Sequence, residues 1–490
     1  MPDGGVSLSV RPVDDDPGVH AQPHGTGIAF MVSNIIDRAA SHKGLQTPDS
    51  HRAHTMAMSL PSRLPDVDTT IFSTMSALAA QHGAVNLGQG FPDFDCDPAL
   101  VEAVSRAMRA GHNQYPPMPG WPALRQAVAR KIAACHGHAY DPDSEITLTA
   151  GATQALFTAI LAVTRPGDEV IVLDPCYDSY VPAIRMAGAV PVRVPLQSGS
   201  FAPDFERIAA ALTPRTRLLI INSPHNPSGT VWTARQMQQL QTLLAPTDVL
   251  LLSDEVYEHM VFDGQPHQSG SRYPELAARS LVVSSFGKTF HVTGWKVGTV
   301  AAPAALTAEF RKIHQFNVFT VNTPMQAGLA DYLQHLEHNP QDPGHYLNLS
   351  AFYQRKRDLF RQGLAGTGFR LLDCAGTYFQ VVDVTDLLQD TALRTNVLAH
   401  RDGTSDAPKA ADHGDNGSTP NHPADRQHPT HSSDAPTEAA FCEWLTAHIG
   451  VAAIPLSPFY GDGRNQNLIR FCFAKKDETL HAALERLARL

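Results

Sequence analysis

The chain predicts an α/β fold: a mostly parallel sheet with helices on both faces. Three observations carry this. Short runs of β-branched and leucine residues alternate with helical periods through the middle of the chain. At 490 residues there is room for two or three packed units and a large core. A content of 43% apolar and 18% charged residues is that of a globular protein with fewer charges than usual.

The strand candidates, in order, are Glu145–Thr149, Glu169–Leu173, Val190–Val194, Leu218–Ile221, Val249–Leu252 and Leu281–Val283. Each is a run of four or five residues, or three in the last case, dominated by Val, Ile, Leu or Thr. The helix candidates are Pro122–Cys135, Thr153–Val163, Asp204–Leu212 and Thr233–Leu244. Further on, Val381–Val384 reads as a strand and Phe441–Trp444 as a helix. Residues 1–58 are rich in Gly, Pro, Asp and His without a sustained period, and are expected to form a disordered tail. Met56 and Met58 stand just before the folded text and are candidate starts. Residues 389–436 carry Asp402–Asp406, Asp412–Gly417 and several histidines, and are expected to be a disordered insertion.

The net charge of −10 argues against general nucleic-acid binding. Six scattered cysteines form no C-x-x-C pair, which favours a reducing compartment and disfavours structural zinc. No basic leader or bilayer-length apolar run is evident, so the expected location is the cytoplasm, with no membrane partner.

In parallel sheets, ligands gather at the carboxyl ends of strands. After Thr149 come Gly151, Ala152 and Thr153, small residues opening a helix whose free N–H groups suit a phosphate. After Leu173 comes Tyr177, which would stack on a flat ligand or simply be buried. After Ile221, the Asn226-Pro227 turn could aim an amide at a ligand oxygen. After Leu252 comes Asp254, either a helix cap or a buried carboxylate in need of a cation, with Tyr257 close behind. After Val283, Ser284–Gly298 sets Lys288 among small residues with Lys296 eight positions on. Such a lysine, its pKa lowered by its surroundings, suits imine formation; alone it would read as a surface lysine. A phosphate cradle, a stacking ring, a phenol-oxygen partner, a carboxylate and an amine are together the set that pyridoxal 5′-phosphate requires.

These motifs resemble the class I/II aminotransferases of fold type I. The resemblance runs from Ser59 to Leu490, omitting the insertion, and rests on Val85–Asp93, Asn113–Tyr115, Asn226-Pro227, Ser253–Tyr257, Ser284–Gly298 and Leu468–Phe473. Thr293–Gly298 resembles most the branch of bacterial methionine aminotransferases and kynurenine/glutamine transaminases, with Lys296 where many relatives carry Arg. It implies a large domain over 93–330 with a seven-stranded, mostly parallel sheet in an αβα sandwich. It also implies a smaller α+β domain over 331–490, with 59–92 as an N-terminal arm and part of that domain. Lys288 would form the imine and move a proton. Asp254 would pair with the ring nitrogen, and Tyr257 and Asn226 with the phenol oxygen, while Tyr177 stacked on the ring. Ala152, Thr153, Ser285 and Lys296 would hold the phosphate, and Tyr115 would reach the phosphate of a neighbouring subunit in a homodimer. Arg470, Gly90 and Asn226 would form the substrate side, Arg470 clamping the α-carboxylate with its planar fork. No metal is implied.

The implied reaction is ping-pong transfer of an amino group from methionine or another large apolar or aromatic amino acid, with glutamine and kynurenine in range, to a 2-oxo acid. The same cofactor chemistry would serve β-elimination from cysteine conjugates or cystathionine. A non-enzymatic regulator with this fold is the third class, disfavoured by an N-terminal stretch lacking two consecutive amphipathic helices.

Overall fold

A computed structural model describes residues 60–67, 69–404 and 435–490. The expected tail over 1–58 lies outside the described residues, as does 405–434 of the expected insertion. Seven strands form the large sheet: β1 (Ile146–Thr149), β2 (Glu169–Asp174), β3 (Val190–Pro195), β4 (Thr216–Asn222), β5 (Leu250–Asp254), β6 (Ser280–Ser285) and β7 (Gly298–Ala301). Their order is β1-β7-β6-β5-β4-β2-β3. β7 runs antiparallel to both its neighbours, and the other pairs are parallel. The fold is the α/β class expected. β7 is the strand that the sequence did not announce, because Gly298-Thr299-Val300-Ala301 is short and follows directly on a loop.

Both faces of the sheet are buried, and the two-residue period sorts the side chains between them. Val170, Val172, Leu218 and Ile220 pack with Ala155, Ala159 and Ile160 of helix α1 (Gly151–Val163). Ile171, Leu173, Leu219 and Ile221 pack on the other face with Met237, Leu240 and Leu244 of α2 (Ala234–Leu244). Each such aliphatic side chain, fully buried, contributes about 1.5–3 kcal/mol relative to exposure. A capping box between Thr233 and Gln236 starts α2. Strand β6 runs into a single turn, α3 (Phe286–Thr289), so Lys288 sits on a helical turn rather than on a bare strand end.

The second sheet is antiparallel: β8 (Arg370–Leu371), β9 (Phe379–Asp383), β10 (Ile454–Pro455) and β11 (Leu468–Cys472), in the order β10-β11-β9-β8. Val85–Asn86 pairs in parallel with Val451–Ala452, tying the chain before the large sheet to the region around the small one.

The upstream part of the stretch expected to be a disordered insertion, 389–404, is instead helical. Residues 391–404 form a helix, α4 (Thr391–Thr404). Val397 is fully buried and Leu393, four residues earlier, packs against the core. This short apolar stripe was masked in the sequence by the polar text that follows it. Where the described chain resumes, α5 (Glu438–Trp444) carries a fully buried carboxylate. Glu438 accepts from the backbone N–H groups of Ser457, Gln466 (3.1 Å) and Leu468 (2.7 Å), which pins the start of β11.

Candidate active site

The turns at the carboxyl ends of β1, β2, β4, β5 and β6 converge on one cleft of about 270 Å³. At its floor is the start of α1. Gly151 has φ +75°, and Ala150 before it provides no side-chain cap, so the first N–H groups of the helix are left to the cleft. The approach is tight: a Cβ on Gly298 would lie 3.0 Å from Ala152 N, and one on Gly151 would lie 3.3 Å from Lys296 Cε. Ala152, Thr153, Ser285 and Lys296 all line this end. A helix N-terminus, a hydroxyl and an ammonium together form a seat for a phosphate dianion.

Asp254 ends β5, almost wholly buried. Its carboxylate accepts from the Tyr180 hydroxyl at 2.6 Å and from Val256 N at 3.3 Å, and no cation among the described residues forms an ion pair with it. Burial therefore raises its pKa to about 6, the two donors opposing this. Such a carboxylate calls for a buried positive charge. Beside it, Asn222 Nδ2 donates to the Asp254 carbonyl and Asn222 Oδ1 accepts from Asn226 N at 2.8 Å, which fixes the Asn226 turn. Tyr177 and Tyr257 line the same part of the cleft. Burial raises both phenols, that of Tyr177 to about 12.

Lys288 faces this group from α3. Its Nζ donates to the Tyr378 hydroxyl at 2.8 Å and to the Gly90 carbonyl at 3.2 Å. Burial, reinforced by the Arg470 and Lys296 cations, lowers its pKa to about 8, so a sizeable neutral fraction exists near physiological pH.

Arg470 comes from the middle of β11 and is 1% exposed. Its guanidinium lies 3.8 Å over the Phe379 ring and donates to Asn226 Oδ1 at 2.6 Å. Nε has no hydrogen-bond partner, and no carboxylate among the described residues forms an ion pair with it. Desolvation lowers its pKa to about 10. A buried, incompletely paired guanidinium opening on a cleft is a receptor for a carboxylate.

Every residue singled out in the sequence therefore lines this one cleft except Tyr115, which is 82% exposed beside Phe319. The sequence reading missed Tyr180, Tyr378, Phe72 and Phe379. Tyr180 was findable, three residues after Tyr177 in the same turn. Tyr378 and Phe379 stand just before the strand predicted at Val381–Val384, Phe379 being the first residue of β9, but nothing local marks which face of it meets Lys288.

The donor set fits pyridoxal phosphate: a helix N-terminus for an anion, a buried carboxylate for a cation, phenol and amide groups between them, and an amine of lowered pKa. The comparisons agree. The profile of the family "Aminotransferase class I and II" matches residues 83–487. The chain is 45% identical over 429 residues to methionine aminotransferase of Escherichia coli K12, covering 88% of this chain and 98% of that protein. It is 33% identical to human kynurenine–oxoglutarate transaminase 1, covering 87% and 97% of the two chains. A crystal structure of an Escherichia coli protein identified as a methionine aminotransferase superposes with a TM-score of 0.75 at 44% identity, over 88% of this chain and 100% of the other. That of N-succinyldiaminopimelate aminotransferase from Mycobacterium tuberculosis gives 0.73 at 37%, over 88% and 100%.

Proposed function

The chain belongs to the class I and II aminotransferases and is a pyridoxal-phosphate-dependent aminotransferase; from that premise we propose that its amino donors are methionine and other large apolar or aromatic amino acids. The observation that carries the substrate class is the distribution of charge. The cations lining the cleft are Lys288, Lys296 and Arg470, and each has a task. Among the described residues of this chain none is left to neutralise a second carboxylate on the donor side chain, whereas Phe72, Phe379 and Val256 offer apolar surface. The named relatives that act on methionine or kynurenine support the same reading.

In this reading Arg470 clamps the α-carboxylate while Asn226 fixes the guanidinium. Gly90 lets the substrate pass close to the backbone, because a Cβ there would stand 2.9 Å from the Phe379 ring. Ala152, Thr153, Ser285 and Lys296 hold the phosphate. Asp254, kept in place by Tyr180, balances a ring cation, and Tyr257 and Asn226 meet the phenol oxygen. Tyr177 covers the ring face. When bound, the cofactor supplies a conjugated ring that takes up the electron pair left at the substrate Cα. Lys288 Nζ holds the cofactor and, once displaced, carries the Cα proton.

The reading extends to assembly and location. Exposed Tyr115, beside Phe319 and outside its own cleft, suits a homodimer in which it serves the partner's phosphate seat. Light scattering should give twice the chain mass. All six cysteines are unpaired, which suits a reducing compartment and a cytoplasmic enzyme; no helix among the described residues is long and apolar enough to cross a membrane. We also propose a large domain over 93–330 and a small domain over 331–490, with 59–92 as an N-terminal arm and part of the small domain; the two separate sheets and the pairing of Val85–Asn86 with Val451–Ala452 support this division.

The test is a matrix of amino donors against 2-oxo acids. Methionine and aromatic donors should exceed aspartate at least about tenfold in kcat/KM, the scale of one or two lost apolar contacts. A preference for acidic donors would overturn the substrate class. Pyruvate release from cysteine conjugates without an acceptor would put elimination in its place.

A further inference from the structure

Tyr378 belongs to none of the motifs that identify the family site, yet its hydroxyl lies 2.8 Å from Lys288 Nζ. The residue is 1% exposed, with its ring against those of Tyr257 (5.2 Å), Phe379 (4.9 Å) and Tyr353 (5.7 Å). Its hydroxyl donates to the Gly90 carbonyl at 2.5 Å. A phenol has one proton to give, and here Gly90 takes it. Towards Lys288 it can offer only lone pairs, so the contact must be an N–H of the lysine donating to the phenol oxygen. Burial holds the Tyr378 phenol far above its usual range, so it stays protonated and does not compete as a base.

We infer that Tyr378 is a positioning residue for the proton transfer: it holds the displaced Lys288 amine by an N–H and leaves the nitrogen lone pair free for the substrate Cα proton. The proton would pass from Cα onto that lone pair and from Nζ to the carbon that bears the cofactor's aldehyde group, so the lysine returns to the neutral amine and no proton is gained or lost overall. The Gly90 carbonyl accepts from both partners, at 2.5 Å and 3.2 Å, which closes a triangle between the amine, the phenol and the backbone on the substrate side. The position of the amine is thereby tied to that of the Gly90 loop. The inference rests on the reading of Lys288 as proton carrier.

Tyr378→Phe keeps the ring packing and removes the hydroxyl. In cofactor-stripped protein, the pH dependence of Lys288 modification by trinitrobenzenesulfonate, followed by peptide mass, reports the amine directly. Loss of an acceptor for the ammonium should lower its apparent pKa by about one unit. In the loaded enzyme, kcat should fall by about 10–100-fold with KM within about twofold, less than removal of the proton carrier itself would cost. The deuterium isotope effect with an α-deuterated donor should rise, since the proton transfer becomes slower. In a Lys288→Ala background rescued by added methylamine, Tyr378→Phe should cause no further loss, because no tethered amine remains to be oriented. An unchanged lysine titration with an unchanged isotope effect would overturn the inference. An equal loss in the amine-rescued background would also overturn it, by marking a packing role. Full turnover of Lys288→Ala without added amine would instead overturn the reading on which it rests.

Discussion

In the large sheet, the residues proposed for the phosphate, the ring face, the phenol oxygen, the ring nitrogen and the imine lie at or just beyond the carboxyl ends of β1, β2, β4, β5 and β6. In the small sheet, Arg470 lies within β11, and it reaches the cleft only because β10 and β9 flank it and Phe379 supports its guanidinium. The first region distributes the chemistry over loops that share a scaffold. The second relies on one strand whose register must be correct, since a slip of one residue would turn Arg470 to the opposite face. Cofactor chemistry should thus respond to single side chains of the large sheet, and substrate recognition to the integrity of the small one.

The largest expected effect lies at the large sheet. Lys288→Ala should lower turnover by about 10³-fold or more and abolish borohydride trapping of the cofactor, because imine formation and proton transfer are lost together. Retained turnover would break the comparison at its first term.

Next is Asp254→Asn. In the cofactor-free protein the Asp254 pKa lies at about 6, above the ordinary 3.8. The group favours the folded state most below 3.8 and loses that contribution as pH rises through 6. A two-unit rise corresponds to about 3 kcal/mol. The stripped Asn variant should exceed the stripped wild type in urea stability above pH 7, by up to that amount, with the gap closing towards pH 4. Cofactor should stabilise the wild type more than the variant, and turnover of the variant should fall sharply. A pH-independent gap would mean that Asp254 is merely a cap.

Arg470→Lys sharpens the other side of the comparison. The point charge cannot reproduce the fork or its stacking on Phe379, so kcat/KM should fall by about 1.5–3 kcal/mol, mostly through KM. Equal activity on amino acids and their decarboxylated amines in the wild type would contradict the carboxylate clamp. The smallest effect is expected for replacing 405–434 with a short Gly/Ser linker. Activity should remain within about twofold, since a change in loop length costs only about 0.6 kcal/mol per doubling. Loss of substrate affinity there, with cofactor binding intact, would show that the segment supports β11.

The same contrast explains what could be read in the sequence. Motifs at strand ends are local, so Asn226, Asp254 and Lys288 were legible with their neighbours. Six of the seven large-sheet strands announced themselves as apolar runs; β7, only four residues long and directly after a glycine-bearing loop, did not. Tyr378 was not legible because its partners, Gly90 and Lys288, are 288 and 90 residues away, and no local pattern encodes such a meeting. Arg470 was assigned only by resemblance, for the same reason: its contact with Asn226 spans 244 residues. The helix at 391–404 escaped because two apolar residues four apart are a weak stripe beside a polar run.

Glu438 has a consequence of another kind. Three backbone donors converge on it as the described chain resumes, so the downstream border of 405–434 is fixed by residues that belong to the fold proper. The upstream border is fixed by Val397 in the core and by the His400 ring, 5.1 Å from that of His448. Chain can be gained or lost between these two borders while the strand that carries Arg470 keeps its register. Residues 405–434 are therefore the stretch in which to try grafting a reporter domain, with retained turnover as the expected outcome.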